Sequence, residues 1–393
     1  MNGIHHVHPD DFEEFFRLSE FAFQYEVSDE DRRKKIEKLK PEELWGYYSE
    51  DKLAAKLMLL SLAVSIGDRE FAMGGIASVS TWPEYRRGGF VAELLKHSFQ
   101  VMREAGQILS MLAPFSFPFY RKFGYEIYTD VKTYELELNG IPALPDPGGA
   151  FLRTRDFSLL RKVYDSYAKA YSGMLVRTDE WWERIVGDRS STFAVWLNDQ
   201  GEPRAYLRYL VRSSEMKIHE WIYLDETARS ALLKWISNHD SMCGKVTMKS
   251  PADDALSFLL PNPRFKQEAA PYFMARIVDA EAFIRRYPFR SGDTLELILQ
   301  VEDEQAEWNV GCFKLTIGED GSAEIVKLSD QAACQEPDDR ALSCSIQTLT
   351  ALLMGYQTPT ALRKMGRLEG SEKAAVLLEN RLPGLTPYLS DFF

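Results

Sequence analysis

The residues best equipped for chemistry lie between positions 79 and 92, in the run Val79-Ser80-Thr81-Trp82-Pro83-Glu84-Tyr85-Arg86-Arg87-Gly88-Gly89-Phe90-Val91-Ala92. An apolar stretch that reads as a strand ends at Pro83, a basic glycine-containing loop follows, and an amphipathic helix begins at once. The first N–H groups of a helix have no partner within it, and the helix dipole adds positive potential there. Glycine lets the backbone approach a ligand closely, and Arg86 and Arg87 can add charge-assisted hydrogen bonds, so the segment suits a phosphate or diphosphate. A turn with a basic rim has the same composition. On these residues alone the stretch specifies a phosphate-bearing ligand and no reaction.

The elements that would position this loop are readable on either side of it. Asp10–Phe23 carries apolar residues at helical spacing, and Asp29–Leu39 reads as a charged second helix. Leu44–Ser49, Leu53–Ile66 and Glu70–Thr81 read as strands joined by turns at Glu50-Asp51 and Gly67-Asp68. The helix after Gly89 places Phe90, Leu94, Leu95, Phe99 and Met102 on one face. Ile108–Ala113 is a further strand, Phe117–Phe123 a short helix, and Tyr125–Leu138 a strand. Three prolines and three glycines in Gly140–Gly149 mark a domain boundary.

The order of elements then repeats: a strand at Phe151–Thr154, helices at Arg155–Tyr171 and Thr178–Ile185, and strands at Thr192–Asn198, Arg204–Ser213 and Met216–Tyr223. A helix at Glu226–His239 and a strand at Lys245–Lys249 follow. At the place matching the basic loop the second segment reads Tyr223-Leu-Asp-Glu-Thr-Ala-Arg-Ser-Ala231, with no glycine and no basic run, which predicts one diphosphate site per chain. Beyond Gly292, three strands at Thr294–Val301, Glu307–Ile317 and Ala323–Leu328 and three helices lead to an apolar chain end, Leu382, Leu385, Tyr388, Leu389, Phe392 and Phe393, which predicts a docked tail.

Composition bounds the rest. At 393 residues the chain suggests two or three domains, and 45% hydrophobic with 27% charged residues places it among globular proteins. A net charge of −12 argues against nucleic acid as partner and is compatible with a cationic one. The four cysteines form no CxxC pair, so neither a metal site nor a disulfide framework is expected, and a cytoplasmic location is the simplest reading. His5, His6 and His8 lack acidic or cysteine partners at ligand spacing, so no metal is assigned. No apolar stretch is long enough to span a bilayer, so no membrane partner is expected.

Two segments together carry a family resemblance. The Arg86-x-x-Gly89 loop between strand and amphipathic helix looks like the coenzyme A signature of GNAT acetyltransferases, departing from it at Val91, where the family has glycine or alanine. Phe119-Tyr-Arg-Lys-Phe-Gly-Tyr125 resembles the Tyr-x-x-Phe-Gly-Tyr segment of the same enzymes. Across the whole chain the pattern is similar to the Eis ("enhanced intracellular survival") acetyltransferases. The resemblance implies a mixed α/β (α+β) chain of two tandem GNAT-like domains and a sterol-carrier-protein-2-like domain: an active domain at 1–140, a degenerate one at 150–286 and the last at 287–393. It implies acetyl-CoA as co-substrate, no metal, and direct transfer to a primary amine of a small cationic acceptor such as an aminoglycoside, a polyamine or a lysine-like amine. Tyr120 matches the general acid, and the α-carboxylate of Phe393, the last residue, matches the general base. Val79, Ser80 and Thr81 match the contacts to the acetyl and pantetheine arm. Arg87, Gly88, Gly89, Phe90, Val91 and Ala92 match the diphosphate loop, and Phe115 and Ser116 match a further cofactor contact. The acidic, aromatic run Phe21, Phe23, Tyr25, Glu26 and Asp29 falls where the family binds its acceptor, and a homohexamer is the family's assembly. Burial of the tail among Leu389, Phe392 and the Phe393 ring would make the terminal carboxylate a better base. Two other readings use the same residues: a carrier of lipid in the third domain, and a pseudoenzyme that binds coenzyme A.

Overall fold

The computed structural model describes residues 2–142, 144–329 and 339–393; Cys334 lies outside them. The first unit runs β1 (Gly3–His6), α1 (Phe12–Phe23), α2 (Asp29–Ile36), β2 (Leu44–Ser49), β3 (Lys52–Ile66), β4 (Arg69–Thr81), α3 (Phe90–Glu104), β5 (Leu109–Leu112), α4 (Phe117–Arg121) and β6 (Glu126–Glu137). Strands β1 to β4 form an antiparallel meander, and β5 joins β4 in parallel. The hairpin between β2 and β3 closes through Glu50 and Asp51, both at positive φ, the backbone a two-residue type I′ turn requires. Helix α3 buries Leu94, Leu95, Ser98, Phe99 and Met102, the face its periodicity predicts.

The second unit runs β7 (Ala150–Arg153), α5 (Phe157–Ala168), β8 (Tyr171–Leu175), α6 (Asp179–Gly187), β9 (Thr192–Leu197), β10 (Pro203–Arg212), β11 (Glu215–Tyr223), α7 (Glu226–Ser237), β12 (Lys245–Ser250), α8 (Leu256–Leu259) and β13 (Lys266–Ile277). Two of these strands are absent from the sequence reading, and both tie the units together. Strand β13 inserts antiparallel between β5 and β6 of the first unit. Strand β8 pairs with β3, at the place where the sequence reading extended helix α5 to Tyr171. Strand β6 continues onto β12, so one sheet of 14 strands spans both units.

The third unit begins with α9 (Ala280–Arg286) and forms a separate five-stranded sheet from β14 (Leu295–Glu302), β15 (Gly311–Ile317), β16 (Ala323–Lys327), β17 (Ala341–Ser345) and β18 (Glu369–Gly370). Helices α10 (Ile346–Leu353), α11 (Pro359–Lys364) and α12 (Glu372–Arg381) complete it, and β19 (Thr386–Pro387) carries the chain back to pair with β8. Its apolar interior, lined by Leu297, Leu315, Leu349 and Leu378 among others, leaves a cavity of only about 10 Å³. Cys312 is disulfide-bonded, against the sequence expectation, while Cys243 and Cys344 are free and buried. A fully buried ion pair joins the third unit to the second, and its guanidinium also reaches the first: Arg276 on β13 donates to Asp303 at 2.6 Å and also to the Phe123 carbonyl. Gly124, at φ +80°, sits beneath this guanidinium, and an added methyl would fall 1.7 Å from its Nη1.

Candidate functional site

Strand β4 carries a bulge where the site opens. Met58 pairs with Ala77 and Lys56 with Ser80, so Ser78 and Val79 together oppose Leu57 alone, and Ser78 takes a φ of +54°. Pairing between β4 and β5 stops at Ile76 and Leu112, which leaves a gap between Ala77–Thr81 and the chain after Leu112. Val79, Ser80 and Thr81 line one edge of that gap, with Ser80 buried and the other two half-buried. The bulge is braced from behind by Lys56. Its ammonium nitrogen donates to Ser78 Oγ at 2.8 Å and to Ser19 Oγ, and sits 3.8 Å from the centre of the Phe15 ring. Lys56 is fully buried, and burial alone holds its amine well below the usual lysine range. In the sequence the one signal for Lys56 is a charge that interrupts the apolar run Leu53–Ile66.

The loop after β4 delivers Arg86 to Gly89 to the surface, with Arg86 to Gly89 forming its outermost stretch. Arg87 and Gly89 both take positive φ, +68° and +84°. Gly89 is the N-cap of α3 and supplies no side-chain cap, and a methyl built on it meets nothing within 4 Å. The helix start therefore offers open N–H donors, room and positive charge, the fit a diphosphate needs. Phe90 stacks on Tyr47 with ring centres 4.1 Å apart, which fixes the first helical turn, while Val91 and Ala92 pack partly into the core. The matching helix of the second unit, α7, is closed instead. The carboxylate of its N-cap Asp225 accepts from the Ala228 N–H and is paired with Arg204.

Helix α4 presents the second landmark. Ser116 caps it, accepting from the Phe119 N–H, and Phe115 stands 69% exposed beside the Phe119 and Tyr120 rings. Tyr120 is 2% exposed. Burial, and then Tyr125, raise its phenol above the usual tyrosine range, so it holds its proton at neutral pH. Contacts run inward from it: the Tyr125 ring lies 5.9 Å away, Tyr125 OH meets Ser110 Oγ at 2.7 Å, and Ser110 donates to the Gly74 carbonyl of β4 at 2.9 Å.

Next to Gly74, on the other face of β4, lies the chain end. A methyl on Gly75 would sit 3.0 Å from the Phe393 ring, which also packs 5.1 Å from the Phe273 ring. The tail is held by a residue that sequence reasoning missed. Asp391, 6% exposed, accepts from Arg177 Nε at 3.0 Å, Trp181 Nε1 at 2.7 Å and Tyr164 OH at 3.2 Å. Arg177 in turn donates to Glu220 at 2.7 and 3.2 Å. Contrary to the sequence expectation, Phe392 is 64% exposed; Asp391, not Phe392, is the buried neighbour of Phe393.

Of the acceptor candidates, Phe21 and Phe23 are about half exposed, and Phe21 lies 5.1 Å from Trp82 at the end of β4. Glu26 is exposed, and Tyr25 packs against Phe16. Asp29 opens α2 and is ion-paired at 3.0 Å with Arg32, which also pairs with Glu13 and Glu20. His5 and His6 are on β1, where His6 lies against Trp45, and His8 caps the following turn.

Residues 3–128 and 173–277 each match a family model of an acetyltransferase (GNAT) domain, and residues 280–390 match a sterol carrier protein domain. An uncharacterized N-acetyltransferase of Streptomyces avermitilis is 22% identical over 346 residues, 82% of each chain. Among solved structures, a probable N-acyltransferase of unknown function from Enterococcus faecalis superposes with TM-score 0.91 at 29% identity, over 99% of both chains. Eis1 from Mycobacterium abscessus shares the fold over the full length of both chains, with TM-score 0.81 at 18% identity.

Proposed function

We propose that this acetyltransferase, built from two GNAT domains and a sterol carrier protein domain, is an Eis-type enzyme that transfers acetyl directly from acetyl-CoA to a primary amine of a small acceptor. Acetyl-CoA supplies an activated thioester. The open start of α3, with Arg87, Gly88, Gly89 and Phe90, fits its diphosphate, and the gap beside Val79, Ser80 and Thr81 fits the arm that ends in the acetyl group. Val91 and Ala92 continue the first helical turn, and Phe115 and Ser116 stand on the opposite edge of the gap.

The attacking amine must lose a proton and the departing sulfur must gain one. Donation to the sulfur is assigned to Tyr120, whose buried phenol stays protonated at neutral pH and is available to donate. Removal of the amine proton is assigned to the α-carboxylate of Phe393. The observation that carries this reading is the seating of the Phe393 ring on Gly75, in the last paired stretch of β4 before the gap. A chain end held by a buried ion pair at the mouth of a cleft is well positioned to take a proton. The aromatic residues Phe21, Phe23 and Tyr25, with Glu26, are assigned to the acceptor side, where aromatic faces and a carboxylate attract an ammonium group. A homohexamer is the expected assembly.

The experiment is turnover of acetyl-CoA with a polyamine or an aminoglycoside, followed by thiol release and mass detection. Tyr120→Phe and a one-residue extension after Phe393 are each expected to lower kcat by about 10²–10⁴-fold, the range for losing a positioned proton-transfer group, with acetyl-CoA affinity kept. Full activity in the extended chain would sink the assignment of the base. The carrier reading is not favoured, because the described interior of the third unit leaves about 10 Å³. The pseudoenzyme reading would be favoured by coenzyme A binding without transfer to any amine.

A further inference from the structure

The second GNAT domain has a cleft of its own, in a place where the first domain binds its ligands. Strands β11 and β12 run parallel and pair from Glu215–Ile218 to Lys245–Met248, then part as β4 and β5 do. The opening encloses about 680 Å³ on the face covered by α6 and the chain end. Lys217 is in register with Thr247, so Lys249, two residues on, projects from the same face of the neighbouring strand. Like charges placed as near neighbours on one sheet face repel. Lys249 is held below the usual lysine range by burial and then by Lys217. Neither lysine has an ion-pair partner among the described residues. From α6, the Arg184 guanidinium lies 3.6 Å over the Trp181 ring and is likewise lowered, first by burial.

Three carboxylates line this cavity and pair with two guanidinium groups: Glu220 and Asp391 are both on Arg177, and Asp188 is on Arg208 at 3.0 Å. Adding Lys217, Lys249 and Arg184 leaves a surplus of positive side-chain charge facing a cavity whose wall includes the exposed ring of Phe392, one residue before Phe393. We propose that this cleft binds an anionic group, a carboxylate or a phosphate, carried by the acetyl acceptor, through Lys217, Lys249 and Arg184. The inference rests on the transfer reading above, and it narrows the acceptor from any cationic amine to an amine that bears a separated anionic group. The anionic end is held in the second domain's cleft, the linking carbons lie along Phe392 and Tyr272, and the amine reaches the end of the chain.

The test uses the full chain and three amines of similar length: 6-aminohexanoate, hexylamine and 1,6-diaminohexane. The wild-type kcat/KM is expected to favour 6-aminohexanoate, and in Lys217→Gln/Lys249→Gln that preference falls by about tenfold or more, as loss of charge-assisted contacts implies. Inorganic phosphate should compete with 6-aminohexanoate and should bind by calorimetry to the wild type, and not to the double variant. Both lysines are at the surface, and matching thermal melts would confirm that the variant folds. Unchanged selectivity in the double variant overturns the proposal. Phosphate binding without any preference among the three amines also overturns it, since the cleft would then take a free anion. Should no amine be acetylated at all, the transfer reading fails, while calorimetry with phosphate still decides whether the cleft binds anions.

Discussion

Replacing Asp391 by alanine separates the docking of the tail from the integrity of the fold. The carboxylate accepts from three donors: the single Arg177 Nε–H, shared between both oxygens at 3.0 and 3.1 Å, Trp181 Nε1 at 2.7 Å and the Tyr164 hydroxyl at 3.2 Å. Removing one partner of a buried ion pair costs about 3–5 kcal/mol where the surroundings cannot rearrange. Here they can. The other ties of the last eight residues include the pairing of β19 with β8, the Tyr388 N–H on the Ser172 carbonyl, the Thr129 hydroxyl on the Pro387 carbonyl, the buried side chains of Tyr388 and Leu389, the Arg177 guanidinium on Ser390, the Tyr272 hydroxyl on the Asp391 carbonyl and the Phe393 ring on Phe273. The strand pairing and the buried Tyr388 and Leu389 side chains lie before residue 390, so the variant should release its last few residues by local opening and keep the global fold. Arg177 keeps Glu220 as its partner, which limits the cost to the core. The expected result is susceptibility of the tail to carboxypeptidase, a fall in kcat of about 10²–10⁴-fold, and a KM for acetyl-CoA unchanged within about twofold. Thiol release with a polyamine measures the kinetic parameters, and protease time courses with mass detection measure the tail. A variant whose tail is digested while kcat stays within about threefold of wild type would refute the reasoning, because the chain end would then play no part in transfer.

Other consequences follow from single positions. Gly75→Ala adds a methyl 2.9 Å from Leu62 and 3.0 Å from the Phe393 ring, so it should displace the ring and lower kcat at least tenfold with a small change in melting temperature; an unchanged kcat would count against the seating of the tail. Gly124→Ala strikes the Arg276 guanidinium and occupies positive φ, so it should cost about 3–5 kcal/mol in denaturant unfolding through the buried Arg276–Asp303 pair. Burial lowers the Lys56 amine pKa on folding, so the folded chain holds that proton less tightly than the unfolded one and stability should rise with pH toward about 10. Lys56→Met should remove that slope and raise the melting temperature at pH 7, while loss of the brace on Ser78 lowers activity; an unaltered slope would contradict the lowered amine pKa. Burial raises the Glu220 carboxyl, but Arg177 and Tyr206 more than offset it and hold it below the usual carboxylate range. Its stabilisation is present above about pH 4 and lost as pH falls through the folded value, so the tail should become protease-sensitive on acidification before the first domain unfolds.

The parts of this chain that were legible in sequence are those whose signals are local. Helix α3 has a clean apolar stripe, the hairpins at Glu50-Asp51 and Gly67-Asp68 have turn residues between alternating strands, and the loop at Arg86–Gly89 declares an open helix start. The parts that were not legible depend on partners far away in the chain. Strand β8 is five residues long and follows an aromatic, helix-like run, so its pairing with β3 leaves no periodic trace. Strand β13 carries Pro271 and a polar first half, and only its place between β5 and β6 makes it a central strand. Asp391 reads as one polar residue before a terminal Phe-Phe. Its role appears only when Arg177 and Trp181, more than two hundred positions earlier, close around it.

The two GNAT domains differ at the helix start to which the diphosphate is assigned, and the second contributes strands and side chains to the first. At α3 the helix start is left open by Gly89, whereas at α7 the Asp225 carboxylate fills the same donors from within the chain, so an external diphosphate there would meet both a filled cap and a negative charge. The second domain also builds part of the first. Its β13 closes the first domain's sheet beside β5 and carries Arg276 beneath the Tyr120 segment. Its β8 seats β19, and Arg177, just past β8, grips Asp391. Both groups assigned to proton transfer, Tyr120 and the Phe393 carboxylate, are therefore positioned by side chains that belong to the domain without a diphosphate loop. Separating the domains at the Pro/Gly linker would remove β8 and β13 from the first domain's strands and the clamp from the tail, so the first domain expressed alone should neither fold as this sheet nor turn over, even though it contains every residue of the loop to which coenzyme A is assigned.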